Sequence, residues 1–409
     1  RFGRVLWGRA DLALVVSAAP GQPGLRTLID PSRPGSVRSY PGGVEALRAG
    51  FPATRADARG REVLHLSPDG ARLLVTGARP GWLDLTDGAV TPLPAAQGSL
   101  AAVLDHAAAS LLVWRESRAE PPNLFVGERR LTDFPDPAPA FAEVSQRRLD
   151  YVRSDGVPLS AELYLPAGYR PGVDAPLPVL VWAYPSLVER RPTATRATRE
   201  SDRFVRPEGF DDLPLYLLTQ GYAVLRPSMP VVMDGVPDTL RGYPAQLVAN
   251  AEAALAAAAG TGAVDRDRAA IGGWSFGASM AASLLAHSDL FRAGVSISGA
   301  YNRTLTPFGF QASERRTYWE APEAYREMSA FEYADRVDEP LLLMHGAADS
   351  NSGTQPQQSE RFFAALKANG AAARYVVFPH EAHAYVARES LMHALWEMTR
   401  WLDLHVKGG

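Results

Sequence analysis

The chain has 409 residues, enough for two domains of ordinary size. Its hydrophobic fraction of 46% and charged fraction of 21% are those of a globular protein that buries a large core without staples. Lys plus Arg is 42 against 45 Asp plus Glu, a net charge of −3, which argues against a nucleic-acid partner. Cysteine is absent, which excludes disulfide frameworks, cysteine nucleophiles and cysteine-ligated zinc or iron–sulfur centres. Only Lys367 and Lys407 are lysines, leaving 40 arginines; with the abundant Ala, Gly and Pro, this reads as genomic bias rather than function. No apolar run approaches the roughly 20 residues of a membrane span, so no membrane partner is expected and a cytoplasmic location is favoured. Arg1 stands without a preceding Met or a signal-like segment, as expected of a processed or trimmed chain.

The first 145 residues read as an all-β domain. Val63 to Leu66, the turn residues Ser67-Pro68-Asp69-Gly70 and Leu73-Leu74-Val75 form a hairpin pattern. Leu12 to Val16 and Leu111 to Trp114 are similar strands, with Leu124 to Val126 and Leu131 as outer strands of the last unit. The apolar runs end at Val16, Val75 and Val113, spacings of about 59 and about 38 residues, close to the roughly 40–50 of a four-stranded propeller blade. Three such units are fewer than the four to eight a propeller needs to close, so an incomplete propeller with N-terminal sequence missing is expected.

A Pro-rich linker, 134–139, leads into residues 146–409, where strands and helices alternate. Tyr151 to Leu165 is a hairpin across Asp155-Gly156. Pro178 to Tyr184 is a continuous apolar run, as in a strand covered on both faces. Leu215 to Gln220 is helical and Ala223 to Leu225 a strand. Tyr243 to Ala259 is an Ala-rich helix, and Ala269 to Gly273 a strand that enters a tight turn. Then come helix 278–287, strand 293–298, strand 341–345, helix 359–368, strand 373–378 and a final amphipathic helix 390–406. This order implies a mostly parallel sheet with helices on both faces, the α/β class.

Gly273-Trp274-Ser275-Phe276-Gly277 is a G-x-S-x-G pattern between a strand and a helix, the context of a nucleophile elbow. The elbow holds its serine in strained backbone geometry, and small flanking residues let strand and helix approach. At a helix N-terminus, backbone N–H groups favour a developing oxyanion. A serine needs a histidine base, itself oriented by a carboxylate, and in this architecture the order is Ser, acid, His. Asp349 lies in the loop after the penultimate strand; Asp335 and Asp338 precede that strand and read as solvated. His287, His393 and His405 lie on helices and His345 ends a strand. His380 and His383 lie in the loop after the last strand, and His383 is the base: His380 directly follows Pro379, whereas His383 lies deeper in the turn. One oxyanion donor is the backbone N–H of Phe276. Tyr184, ending the 178–184 run, is either a core tyrosine or the second donor.

These segments resemble the prolyl oligopeptidase family of serine peptidases. "GGWSFGASMAASLLAHSDLF", "LLLMHGAADSNSGT" and "FPHEAHAY" are similar to its nucleophile, acid and histidine segments, and "EPPNLFV" with "YVRSDGVPLSAELYLPAGY" to its propeller-to-hydrolase junction. "WAYP", "SGAYNRTLTPFGFQ" and the final helix resemble its glutamyl endopeptidase subgroup. The resemblance implies a β-propeller before an α/β-hydrolase domain, a Ser275, Asp349, His383 triad, and Tyr184 as an oxyanion donor. It also implies peptide substrates cleaved after Glu, and no cofactor or metal. A Glu side chain needs a cationic partner, and Arg suits a carboxylate by bidentate geometry. Arg303 could fill that role or lie on the surface, and Asn302 could bind the substrate backbone. Relatives commonly have His and Tyr around the nucleophile, where this chain has Trp274 and Phe276. Self-association, or association with a missing propeller segment, are the partner arrangements this implies. The rival expectations are an acylaminoacyl or dipeptidyl exopeptidase or an esterase on the same fold, and a non-catalytic binding module.

Overall fold

A computed structural model describes residues 119–188, 190–193, 206–233, 242–309 and 316–408, with strands and a few linking residues of the first 118. The chain forms two compact units, one of residues 1–136 with 201–204, the other of 137–200 with 205–409.

The first unit is all β. One sheet has six strands in the order Val37–Ser39, Arg26–Ile29, Leu12–Val16, Val5–Arg9, Glu62–Leu64, Thr54–Ala56. A second has four, Val90–Pro92, Gly81–Asp84, Arg72–Gly77 and Gly50–Pro52. A third, also of four, runs Ser99–Asp105, Ser110–Arg115, Asn123–Val126, Arg129–Arg130. The hairpin expected over 63–75 is corrected here. Glu62–Leu64 pairs with Val5–Arg9 and Thr54–Ala56, whereas Arg72–Gly77 pairs with Gly50–Pro52 and Gly81–Asp84. The turn itself is present, closed by Ser67 N–H on the Arg72 carbonyl (2.9 Å) and Ala71 N–H on Asp69 (3.0 Å). Turn residues fix a change of direction but not which strands then pair. Leu131, expected in a strand, lies just beyond Arg129–Arg130.

The second unit is built on a nine-stranded sheet. Its strands are β1 (Ser145–Val152), β2 (Pro158–Leu165), β3 (Leu177–Trp182), β4 (Tyr184–Val188), β5 (Ala223–Val232), β6 (Val264–Trp274), β7 (Ala293–Ile297), β8 (Leu341–Gly346) and β9 (Ala373–Phe378). They run in the order β1-β2-β5-β3-β6-β7-β8-β9, with β4 paired to β5. β1 and β2 form the antiparallel hairpin, turning at Gly156 (φ 88°), where a left-handed backbone suits glycine. From β5 through β3, β6, β7 and β8 to β9 the pairing is parallel.

The continuous apolar runs of β3 and β8 serve two cores at once. Val179, Val181, Leu341 and Leu343 face helices α1 (Tyr243–Ala259), α2 (Phe276–His287) and α4 (Gln357–Ala368). The alternating Leu180, Leu342 and Met344 face the 3₁₀ run Leu213–Gln220 and helix α5 (Arg388–Leu402). A short helix α3 (Pro322–Glu327) lies between β7 and β8 in sequence. The last helix stops at Leu402 and ends in a π turn, Asp403–Lys407, rather than running to 406. Parallel β6, β8 and β9 all end at one edge of the sheet, so the loops after them meet there.

Candidate active site

β6 ends at Trp274 and α2 begins at Phe276, leaving a single residue, Ser275, to turn the chain. Ser275 has φ 58° and ψ −117°, one of two positive-φ non-glycine residues among those described. Such backbone costs roughly 1–3 kcal/mol and persists only where the surroundings over-determine it. Here Ser275 N–H donates to the Ile297 carbonyl on β7 (2.8 Å), and its own carbonyl accepts from Ala278 and Ser279 N–H. The flanking glycines are sterically required. A Cβ on Gly273 would strike the Gly277 backbone, and one on Gly277 would strike the Ala183 carbonyl.

The loops after β8 and β9 bring the other two residues to the serine. His383 Nε2 lies 2.9 Å from Ser275 Oγ, and His383 Nδ1 lies 2.8 Å from Asp349 Oδ2. With Asp349 ionised, Nδ1 carries the proton and Nε2 is left to accept from the hydroxyl. The Asp349 side chain is fully buried. Burial alone would push its carboxyl up, but hydrogen bonds from His345, His383 and Asn351 N–H win and hold it well below the ordinary Asp range.

Sequence reasoning missed the groups that brace this pair. His345, four residues before the acid, places Nε2 at 3.1 Å from Asp349 Oδ2 and 2.7 Å from the Thr354 carbonyl. Both neighbours only accept, so Nε2 carries a proton. Thr354 Oγ1 donates to Asp349 Oδ2 (3.1 Å) and stands 3.0 Å from His383 Nδ1. Gly346 follows His345 because a Cβ there would strike the Glu381 and Ala382 carbonyls, so the histidine loop packs directly on the end of β8. Trp274 Nε1–H donates to the His383 carbonyl (2.8 Å), with its ring 4.8 Å from the imidazole. A histidine preceding Asp349 at i,i+4 and an indole beside the nucleophile were the visible signals. Neither residue announces its partner. His380, the histidine set aside, is exposed.

On the other side of Ser275 lies an aromatic and cationic group. Phe276, buried, has the first N–H of α2, which no carbonyl within the helix can reach. Tyr184, at the start of β4, is 47% exposed and meets the Phe276 ring edge-on at 6.0 Å. Arg303 is 3% exposed, not a surface arginine, and its guanidinium lies 5.1 Å from the Phe276 centroid. Burial pulls it down to about 10, against the raising influence of Tyr243, Tyr184 and Tyr325, so it remains charged at neutral pH. Asn302 caps the 3₁₀ turn Arg303–Leu305, its Oδ1 accepting from Thr304 N–H (2.9 Å) and Oγ1 (2.7 Å).

Residues 244–409 match the model of the Prolyl oligopeptidase family. The chain carries a prolyl oligopeptidase family domain. Over 282 residues, 68% of this chain, it is 47% identical to a protein of Oryza sativa subsp. japonica named probable glutamyl endopeptidase, chloroplastic. A protein of the same name in Arabidopsis thaliana is 45% identical over 297 residues, 72% of this chain. The chain spans 30% of the length of each of these relatives. Among solved structures, a Pyrococcus horikoshii acylaminoacyl peptidase matches with a TM-score of 0.61 at 19% identity, over 99% of this chain and 63% of that one. A puromycin-hydrolysing peptidase of Mycobacterium tuberculosis matches with the same score and identity, over 99% and 62%. At that identity the likeness is one of fold, and it bears out the class read from the sequence, an all-β part before an α/β-hydrolase. Among the described residues no helix is long and apolar enough to cross a membrane. Within the family domain, Trp274 and Phe276 take distinct places: the first joins the histidine loop, the second the aromatic group.

Proposed function

We propose that this chain is a serine peptidase that cleaves peptides after Glu through an acyl-enzyme. The reading is carried by the continuous hydrogen-bond chain from Ser275 Oγ through His383 to Asp349. Ser275 Oγ attacks the scissile carbonyl while His383 Nε2 takes its proton. Asp349 fixes the tautomer and stabilises the imidazolium without accepting the proton. Phe276 N–H and Tyr184 O–H hold the oxyanion of the tetrahedral intermediate. Collapse breaks the C–N bond, and His383 returns the proton to the leaving amine. Water, deprotonated by the same imidazole, then hydrolyses the ester.

The Glu preference rests on Arg303. A buried cation against the residue after the nucleophile is a partner for one carboxylate side chain. Asn302 keeps its amide N–H₂ for the substrate backbone, its Oδ1 being committed to Thr304. The test is a set of peptides that differ only at the cleaved residue. Glu should be preferred over Ala and Phe, and Arg303→Ala should abolish that preference while a fluorophosphonate still labels Ser275. Equal rates across the set, or faster turnover of simple esters than of any peptide, would move the reading to an exopeptidase or esterase. Absence of labelling would leave only a binding module.

A further inference from the structure

Behind Phe276 sits a buried hydroxyl that the reaction above does not use. Tyr243 is the first residue of α1, entered through Gly242 at φ 83°. It is 1% exposed, and its ring stacks on Phe276 at 6.1 Å with 13° between the planes. Its hydroxyl is buried and has no hydrogen-bond partner. Water is lost from that oxygen on folding and no protein group replaces it, which costs free energy and calls for an explanation. Burial holds the phenol far above its ordinary value, so the group is a donor at every working pH. The charge of Arg303 and the phenol of Tyr184 are the neighbours that act on it. All three side chains meet at one ring: Tyr243 stacked, Tyr184 edge-on, Arg303 over it. That ring belongs to the residue next to the nucleophile.

We propose that Tyr243 is a specificity-determining residue whose O–H donates to the substrate's Glu carboxylate alongside the Arg303 guanidinium. This rests on the Glu-directed reading above. A carboxylate offers about four lone-pair sites on two oxygens, more than one cation satisfies. Arg303 supplies the charge and Tyr243 a neutral donor of fixed position, since the stacked ring and the start of α1 leave the phenol little freedom. An apolar side chain in the same place would leave the Tyr243 hydroxyl dry and unpaired, and such a site rejects the wrong residue through that penalty. The hydroxyl is then unsatisfied in the free enzyme because its acceptor arrives with the substrate.

Tyr243→Phe, made in the full chain, keeps the ring and removes only the oxygen. The reading is the ratio of kcat/KM for the Glu peptide to that for the matched Ala peptide. The ratio should fall roughly ten- to a hundredfold, the loss of a hydrogen bond to a charged group. The melting temperature should hold or rise, because the variant loses a buried unpaired hydroxyl. An unchanged ratio overturns the proposal, as does a drop of several degrees in Tm, which would mean that the hydroxyl has a structural partner. Arg303→Met, measured in parallel, separates this inference from its premise. If the wild type shows no Glu preference, or keeps it without Arg303, the Glu-directed reading has failed. If the preference needs Arg303 and not Tyr243, only this inference has failed.

Discussion

Two regions meet at Ser275 and they are built in opposite ways. On one side, Asp349, His345, Thr354 and His383 form a polar cluster in which Asp349 Oδ2 alone has three donors within 3.1 Å. On the other, Phe276, Tyr243, Tyr184 and Arg303 touch through ring faces and edges, and a buried hydroxyl is left over. The first region is satisfied before any substrate comes. The second is not. A group that must transfer a proton in fixed geometry gains from bonds that are already made, whereas a group that must choose among side chains gains from bonds that wait. If this contrast holds, damage to the polar side should lower turnover of every peptide alike, and damage to the aromatic side should change which peptides are preferred.

The largest effect tests the contrast at its centre. Ser275→Ala should lower kcat by about 10⁴-fold or more on all peptides, with Tm unchanged or raised, since alanine removes only the hydroxyl. Turnover within tenfold of wild type would remove Ser275 as the nucleophile and with it the division into two sides.

Asp349→Asn should cost about 10⁴-fold in kcat, because an amide does not enforce the tautomer that leaves Nε2 free. It carries a second signature in stability against pH. The folded-state carboxyl lies below its unfolded value of roughly 3.9, so its contribution is present above that value and lost as pH falls through the folded one. In melting curves taken from pH 7 to about pH 2, the gap between wild type and Asp349→Asn should therefore stay constant down to about pH 4 and narrow only below it. Parallel curves would show that Asp349 is not held low by its donors.

Trp274→Phe is the sharper and smaller probe. It removes one N–H to the His383 carbonyl and keeps an aromatic ring against the imidazole. A net hydrogen bond is worth about 1 kcal/mol, so kcat should fall roughly fivefold with KM little changed. The Glu-to-Ala ratio should not move, because the indole belongs to the polar side. A changed ratio with constant kcat would place Trp274 on the wrong side of the division.

Much of the polar side was legible in the sequence, and the reason is local. G-x-S-x-G encodes an elbow through steric demands that fall on adjacent residues, and the ends of β8 and β9 are marked by apolar runs that stop. Hence Ser275, Asp349 and His383 could be named before their distances were known. The bracing was not legible because it runs between segments far apart. Trp274 reaches His383 across 109 positions, and Gly346 is small for the sake of carbonyls at 381 and 382. Arg303 could be named but not told from a surface arginine among 40, since burial is decided by the packing of Phe276 and α1. Tyr243 looked like an ordinary opening residue of an Ala-rich helix. The same limit explains the hairpin over 63–75: its turn was readable, its pairing was not.

The smallest expected effect asks how much of the polar side is loop architecture rather than chemistry. Glu381 is buried, and its carboxylate accepts from Val386 N–H (2.8 Å) and Ala387 N–H (3.0 Å), just ahead of α5. Burial pushes this carboxyl up, but Ser390 and the two backbone donors pull it further down, so the ionised form is favoured. Glu381→Gln keeps one acceptor oxygen and loses the charge, a change of about 1 kcal/mol, comparable to a lost helix cap. Tm should fall by roughly 2 °C at neutral pH. Because the native carboxyl lies below its unfolded value of roughly 4.3, the deficit should be full above that pH and should shrink as pH falls through the folded value. Its kcat should stay within about twofold of wild type, since His383 is also held by Trp274, Asp349 and the packing on Gly346. A much larger loss of kcat at unchanged Tm would mean that the loop bearing His383 is placed chiefly by Glu381, and that bracing and chemistry on this side cannot be separated.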